Sequence, residues 1–238
     1  PGHGSVPNPD NAVLQLSNAL HRLGRARHLP IHITPTLRKM LESLSSQLGF
    51  PLGILLNMMK SPAIAGLMVK LLKGDLGRIF VPILSNSVSP TILKAGQKAN
   101  VIPSIAQADL DCRLLPGQTP DDAIREIKAI TGEGLDLEVL FASTGAEFST
   151  ETPLYNLLEK AARTMDPQGI TFPLLMPGAT DAAEYKRAGI TVYGFTPGVL
   201  PENFPILKLT HGHDERIPIS FIRTGLTPLW EVVNEFCM

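Results

Sequence analysis

Ala12, Leu16, Ala19, Leu20 and Leu23 recur at the three- and four-residue spacing of one helical face, and Asp10 or Asn11 stands where it can cap that helix. The most apolar stretch, from Leu48 to Leu72, reads LGFPLGILLNMMKSPAIAGLMVKLL. Lys60 divides it into charge-free runs shorter than the ~20 residues a membrane-spanning helix needs. The pattern instead predicts two short buried helices broken near Ser61-Pro62, inside a helical insert running from about Thr34 to Leu72. A face that contacts a membrane surface or an acyl chain is the alternative reading of the same residues. Arg78 to Leu84 and Thr91 to Ala95 read as strands. In AQADLDCRLL, Ala106, Ala108, Leu110 and Cys112 alternate with Gln107, Asp109, Asp111 and Arg113, which predicts a strand over 106–114. Thr119-Pro120-Asp121-Asp122 opens a helix that stops at Gly132. Leu135 to Phe141 is a further strand. This order predicts an antiparallel sheet with helices on one face, and one more strand before Gly2 would complete a ferredoxin-like, split βαβ sandwich.

The second part opens near Ser143. Thr152-Pro153 starts a helix bearing Leu154, Leu157, Leu158, Ala161 and Ala162 on one face. Strands are expected at 172–175 and 190–195, with a helix from about Asp181 to Ala188 between them. A last helix, Pro218 to Phe236, is expected to turn Phe221, Ile222, Leu226, Leu229, Trp230 and Val233 inward. Alternating strands and helices give an α/β layer. The expected division is 1–142 and 143–238.

Composition narrows the functional classes. Lys and Arg number 21 and Asp and Glu 22, so the net charge is −1, without the basic field that nucleic acid rewards. Cys112 and Cys237 are too few and too far apart for a disulfide framework or a zinc knuckle, which leaves the redox compartment open. The opening PGHGSVP, without methionine, reads as the interior of a longer protein.

Candidate chemistry gathers in four places. In THGHDER, His211 and His213 stand beside Asp214 and Glu215, a combination that suits zinc and equally a helix-start loop with a solvated charge pair. In PGHGSVP, His3 is either a loop histidine or a polar group brought to a reacting oxygen, with Gly2 and Gly4 allowing close approach. Arg113, with Asn100 upstream, can hold a carboxylate or can pair with Asp109 or Asp111. In PGATDAAEY, the amides of 178–181 suit an anion, or Asp181 is a plain helix cap.

Taken together, GHGSVP, SNSVSPTILKAGQKANVIPS, DCRLLPGQTPDDA, PGATDAAEY and HGHDER occur in an order that resembles the dinuclear-zinc amidohydrolase family. That family includes aminoacylases, glutamate carboxypeptidase, succinyl-diaminopimelate desuccinylase and carboxypeptidase S. The insert is most similar to the carboxypeptidase S branch, which also holds secreted N-acyl amino acid hydrolases. The resemblance implies that residues up to 142 form a lid or dimerisation domain and the remainder the C-terminal part of a zinc-binding catalytic domain. It further implies that most metal ligands lie outside this chain. His211 matches the family's last zinc ligand, whereas His213 occupies a variable position. His3 matches the lid histidine that reaches the oxyanion, often across a dimer. Asn100 and Arg113 match the pair that holds the substrate's carboxylate, and Gly178 and Thr180 the loop beside it; Ala179 replaces the second glycine of the usual GGTD. The implied activity is zinc-dependent hydrolysis of a peptide or N-acyl amino acid by a lid that closes over two zinc ions. The implied partners are that small substrate and a second copy meeting through the lid. The chain alone is expected to be inactive. A non-catalytic dimerisation or binding module, or an inactive relative, is the competing reading.

Overall fold

The computed structural model describes residues 1–26, 28–71, 80–176, 178 and 180–238. The first strand, β1 (Gly2–His3), precedes helix α1 (Ala12–Arg25). The side chain of Asn11 accepts the amides of Val13 and Leu14, while Asp10 instead takes the Gln15 side chain. Leu16, Ala19 and Leu23 are buried, as their spacing requires.

The helical insert follows as α2 (Pro35–Gln47), α3 (Leu52–Met58) and α4 (Pro62–Leu71). Thr34 caps α2 by accepting from the Leu37 amide, and α4 begins at Pro62, where proline's missing amide is harmless. Leu37, Met40, Leu41, Met59, Ala65 and Val69 make a closed core with Ile83 and Leu84. Phe50, Leu52, Ile54, Met58, Leu67 and Leu71 stay exposed on the outer side. Leu72, the expected end of the insert, lies outside the described residues.

The strand expected over 78–84 is corrected. Residues 80–84 are helical and the Ser85 amide donates to the Val81 carbonyl; Arg78 lies outside the described residues. Phe80, Ile83 and Leu84 all meet the insert core, which is the spacing of a helix face. A short apolar run carries no period that could have told the two forms apart.

Strands β2 (Ser87–Ala95), β3 (Val101–Ile102) and β4 (Ala106–Arg113) come next. β2 and β4 pair antiparallel with Val88 opposite Cys112 and Lys94 opposite Gln107, and the register shifts between Pro90 and Ile92. β1 and β3 form a separate antiparallel pair. Helix α5 (Pro120–Thr131) starts with a reciprocal cap, in which Thr119 accepts the Asp122 amide and Asp122 accepts the Thr119 amide. α1 packs on both α5 and β4.

The second part contains α6 (Pro153–Met165), α7 (Ala182–Arg187), α8 (Ile206–Leu209) and α9 (Ile219–Cys237), with α9 packed on α6. The strands expected in this part, and the one expected last in the first part, do not form. Residues 135–141, 172–175 and 190–195 belong to no strand, and among the described residues 171–176 make no backbone hydrogen bond. Side chains at 171, 173 and 175 are half-buried while Phe172, Leu174 and Met176 face outward. The alternation of a strand is present and its partner is not.

α9 also departs from expectation. Its buried stripe is Phe221, Gly225, Pro228 and Val232. Ile222, Leu226, Leu229, Trp230 and Val233, expected inside with Phe221, are exposed. Gly225 explains the rotation. A Cβ there would lie 2.0 Å from the Pro197 carbonyl oxygen, so the helix approaches the preceding loop along its small residues.

The molecule is thus a mixed α/β structure, and among the described residues its two small sheets are separate. Among the described residues no helix is long and apolar enough to cross a membrane. The solvent-accessible surface is 16181 Å². A compact chain of this size exposes about 10,400 Å².

Two consequences can be measured. Leu41, 1% exposed, sits at the centre of the insert core. Leu41→Ala is expected to cost about 2–5 kcal/mol in urea denaturation; a change under about 0.5 kcal/mol, the range of a surface substitution, would show that the site is not a packed core. On β4, burial first and the neighbouring Asp111 charge second raise the Cys112 thiol above its ordinary range, while Cys237 is exposed. Iodoacetamide near about pH 8 should label Cys237 first, because only thiolate reacts. Asp111→Asn removes a like charge, lowers the Cys112 pKa and should speed its labelling with Cys237 unchanged; equal rates in both proteins would contradict this.

Candidate functional site

His3 occupies the end of a short strand rather than a loose loop. It lies opposite Val101, and the next amide, that of Gly4, donates to the Asn100 carbonyl at 2.9 Å. A Cβ on Gly4 would stand 3.3 Å from that oxygen, so glycine is what permits the approach. Gly2 meets only ordinary contacts and carries no such role. The Ser5 amide donates to His3 Nδ1 at 3.2 Å, with Ser5 Oγ 2.8 Å from the same nitrogen. An amide can only donate, so Nδ1 accepts and the proton of a neutral ring sits on Nε2. Among the described residues Nε2 has no partner, which leaves an N–H directed outward. Sequence reasoning passed over Ser5 as the group that sets this tautomer; its place two residues after the histidine was the available signal.

Asn100 is exposed at the turn before β3, with no side-chain hydrogen bond among the described residues. The β1–β3 pairing therefore brings His3 and Asn100 side by side. Arg113 ends β4 on the other strand pair. Its Nε and Nη2 hold the two Asp111 oxygens, each at 2.8 Å, so of the open alternatives the pairing with Asp111 is the one formed. Both side chains are about half exposed, and an ion pair there contributes little stability. One edge of the guanidinium is engaged, and the Nη1–Nη2 edge stays available to a second carboxylate.

Gly178 and Thr180 lie exposed just before α7; Ala179 is outside the described residues. The Thr180 hydroxyl accepts the Ala182 amide at 3.3 Å, and the Asp181 side chain makes no capping bond. The plain-cap alternative for Asp181 is therefore replaced by a role for Thr180. His211 follows α8 in a turn with φ of 60°, a left-handed conformation that few non-glycine residues adopt. It is exposed, as is His213, and Asp214 pairs with Arg216. Among the described residues no group of three or more His, Cys, Asp or Glu is arranged to hold a metal ion. These side chains do not form a zinc site, since that needs three or four fixed ligands.

No hydrogen bond joins His3 and Asn100 to Arg113, Thr180 or His211 among the described residues. A cleft of about 470 Å³ lies elsewhere, between α2 and the start of α6, with Lys39 and Ser43 on one wall and Tyr155 and Glu159 on the other. Burial, then Glu159 and Tyr193, raise the Tyr155 phenol above its usual range, so it stays protonated.

Comparison with known proteins gives these residues a context. The chain is 28% identical over 241 residues to the human N-fatty-acyl-amino acid synthase/hydrolase PM20D1, covering 98% of this chain and 46% of that protein. It is 26% identical over 236 residues to a probable carboxypeptidase S-like protein of Dictyostelium discoideum, covering 92% of the chain and 41% of the relative. Aminoacylase-1 of the same organism is 31% identical over 143 residues, 54% of the chain and 33% of its own length. The chain spans less than half the length of these curated relatives. No solved structure matches it significantly. The M20 peptidase dimerisation domain matches residues 1–136, more than half of the chain, from the His3 loop to the end of α5, and the chain therefore belongs to the M20 peptidase family.

Proposed function

We propose that the chain is the substrate-gripping portion of a zinc-dependent amidohydrolase acting on a peptide or N-acyl amino acid with a free carboxylate. In this reading residues 1–142 are a lid and dimerisation domain and 143–238 the C-terminal part of a catalytic domain. The observation that carries it is the β1–β3 pairing, which sets His3, with an outward N–H, against the turn bearing Asn100. Similarity to N-acyl amino acid hydrolases across 98% of the chain supports the substrate class.

The chain's own residues divide the work. His3 Nε2–H donates to the oxygen that gains charge when the scissile carbonyl is attacked. The Asn100 amide and the unengaged edge of Arg113 hold the carboxylate at the other end of the substrate, which fixes the scissile bond in register. Gly178 and Thr180 flank that carboxylate. His211 contributes one ligand to a metal centre whose remaining ligands come from polypeptide outside this chain. Closure of the lid brings the two groups of residues together. In the lid, the β2–β4 pair, packed on α1, would belong to a ferredoxin-like sheet completed by a further strand before Gly2.

The match of residues 1–136 to a peptidase dimerisation domain supports a second reading, a dimerisation module without catalysis of its own. Activity separates the two. The purified chain with zinc should hydrolyse no N-acyl amino acid; turnover by the chain alone would overturn the proposed division of ligands. In a longer, active form of the protein, His3→Ala should lower kcat about 10²–10³-fold with little change in KM. Arg113→Met should chiefly raise KM. An unchanged kcat for His3→Ala removes the oxyanion role, and a longer form without any activity supports the module.

A further inference from the structure

The helical insert enters and leaves the lid at a single point. Ile31 on the way in and Ser85 on the way out form an antiparallel bridge, and the His32 amide donates to the Leu84 carbonyl at 2.8 Å. One carboxylate spans both stems. Glu126 of α5 places Oε1 2.6 Å from His32 Nε2 and accepts the Asn86 side-chain amide on Oε2 at 3.0 Å. Asn86 is 1% exposed, and its own oxygen accepts the Leu115 amide at 2.9 Å. Gln118 Oε1 lies 3.3 Å from the same Asn86 nitrogen. The Glu126 side chain is only 10% exposed.

Beyond the stems the insert is nearly self-contained. Its core is built from α2, Met59, α4 and residues 80–84; among the described residues only Leu175 joins that core from outside the insert and its stems. One further tie is the Thr36 amide donating to Glu147 at 2.5 Å. A body with its own core, joined through two adjacent stems, is a unit that can open without unfolding its neighbours. The insert also supplies one wall of the cleft between α2 and α6.

We propose that the insert is a hinged flap and that the Glu126 carboxylate, gripping His32 and Asn86 together, is the clamp that holds it shut over this cleft. Both contacts are donors meeting a nearly buried anion, so losing either leaves charge without a partner and releases the stem it held. A carboxylate can accept on both oxygens, whereas a carboxamide accepts on one and presents a donor on the other. Glu126→Gln keeps the shape, removes the charge and leaves one acceptor oxygen where the carboxylate has two. Asn86→Asp keeps an oxygen for the Leu115 amide and opposes Glu126 with a like charge. His32→Gln retains a donor toward Glu126, and His32→Ala does not.

Hydrogen exchange by mass spectrometry on this chain tests the clamp. Glu126→Gln, Asn86→Asp and His32→Ala should each speed exchange of the Thr36 amide, whose acceptor Glu147 lies across the opening, by about tenfold or more, with the helical amides of Arg38–Leu41 and Ala65–Val69, the β2–β4 pair and α6 unchanged. His32→Gln should stay near the unsubstituted chain. If one variant fails to fold, the others carry the same contrast. Acceleration spread equally over Thr36, the insert helices, the β2–β4 pair and α6 would mark a general structural role, and unchanged Thr36 exchange would show that the carboxylate clamps nothing; either result overturns the proposal.

Discussion

A backbone amide or carbonyl that leaves water has to find a hydrogen-bond partner, and a strand finds it only in another strand. The first part of this chain meets that demand for β2 and β4 and, briefly, for β1 and β3. The second part does not. Residues 171–176 alternate inward and outward as a strand would, yet among the described residues their backbone pairs with nothing. α9 repeats the theme with side chains. One stripe, Phe221 to Val232, is buried, with Phe221 and Gly225 against the Pro197–Gly198 loop, and a second, containing Ile222, Leu226 and Trp230, faces water. A helix apolar on both sides belongs between two layers. The exposed surface of 16181 Å² expresses the same imbalance over the whole chain. The proposed division, in which other polypeptide supplies strands and a cover for α9, is a reading that this constraint supports.

Local signals were read accurately where local chemistry decides the outcome. Asn11, Thr119 and Thr152 each cap a helix through short-range bonds, and Pro62 starts one. The alternation in Ala106–Arg113 became β4. Outcomes set by partners at a distance were less legible. Residues 80–84 are helical because the insert core takes one face of them. α9 shows its small residues inward because of how closely the Pro197 loop approaches Gly225. The segments 135–141, 172–175 and 190–195 have the composition of strands, but pairing belongs to a sheet and no segment decides it alone.

The candidate site shows the same split. Strand pairing assembles His3 and Asn100 across 97 positions, whereas the Ser5 amide fixes the histidine's tautomer from two residues away. Arg113 settles on Asp111, two positions away, through contacts visible in the spacing and open to either reading. His211 stands in a left-handed turn, a conformation that persists where surroundings enforce it, although here the turn lies in solvent. The clamp at Glu126 was not visible beforehand. Its three residues are separated by 54 and 40 positions (32 to 86, 86 to 126), and only the fold brings them to one point.

The most direct test is a structure of the protein in a longer, active form, read at the backbone of residues 190–195. The account predicts that strands from polypeptide outside this chain hydrogen-bond that segment, with the second stripe of α9 covered beside them. Residues 190–195 unpaired in that form, with Leu226 and Trp230 still facing water, would contradict it.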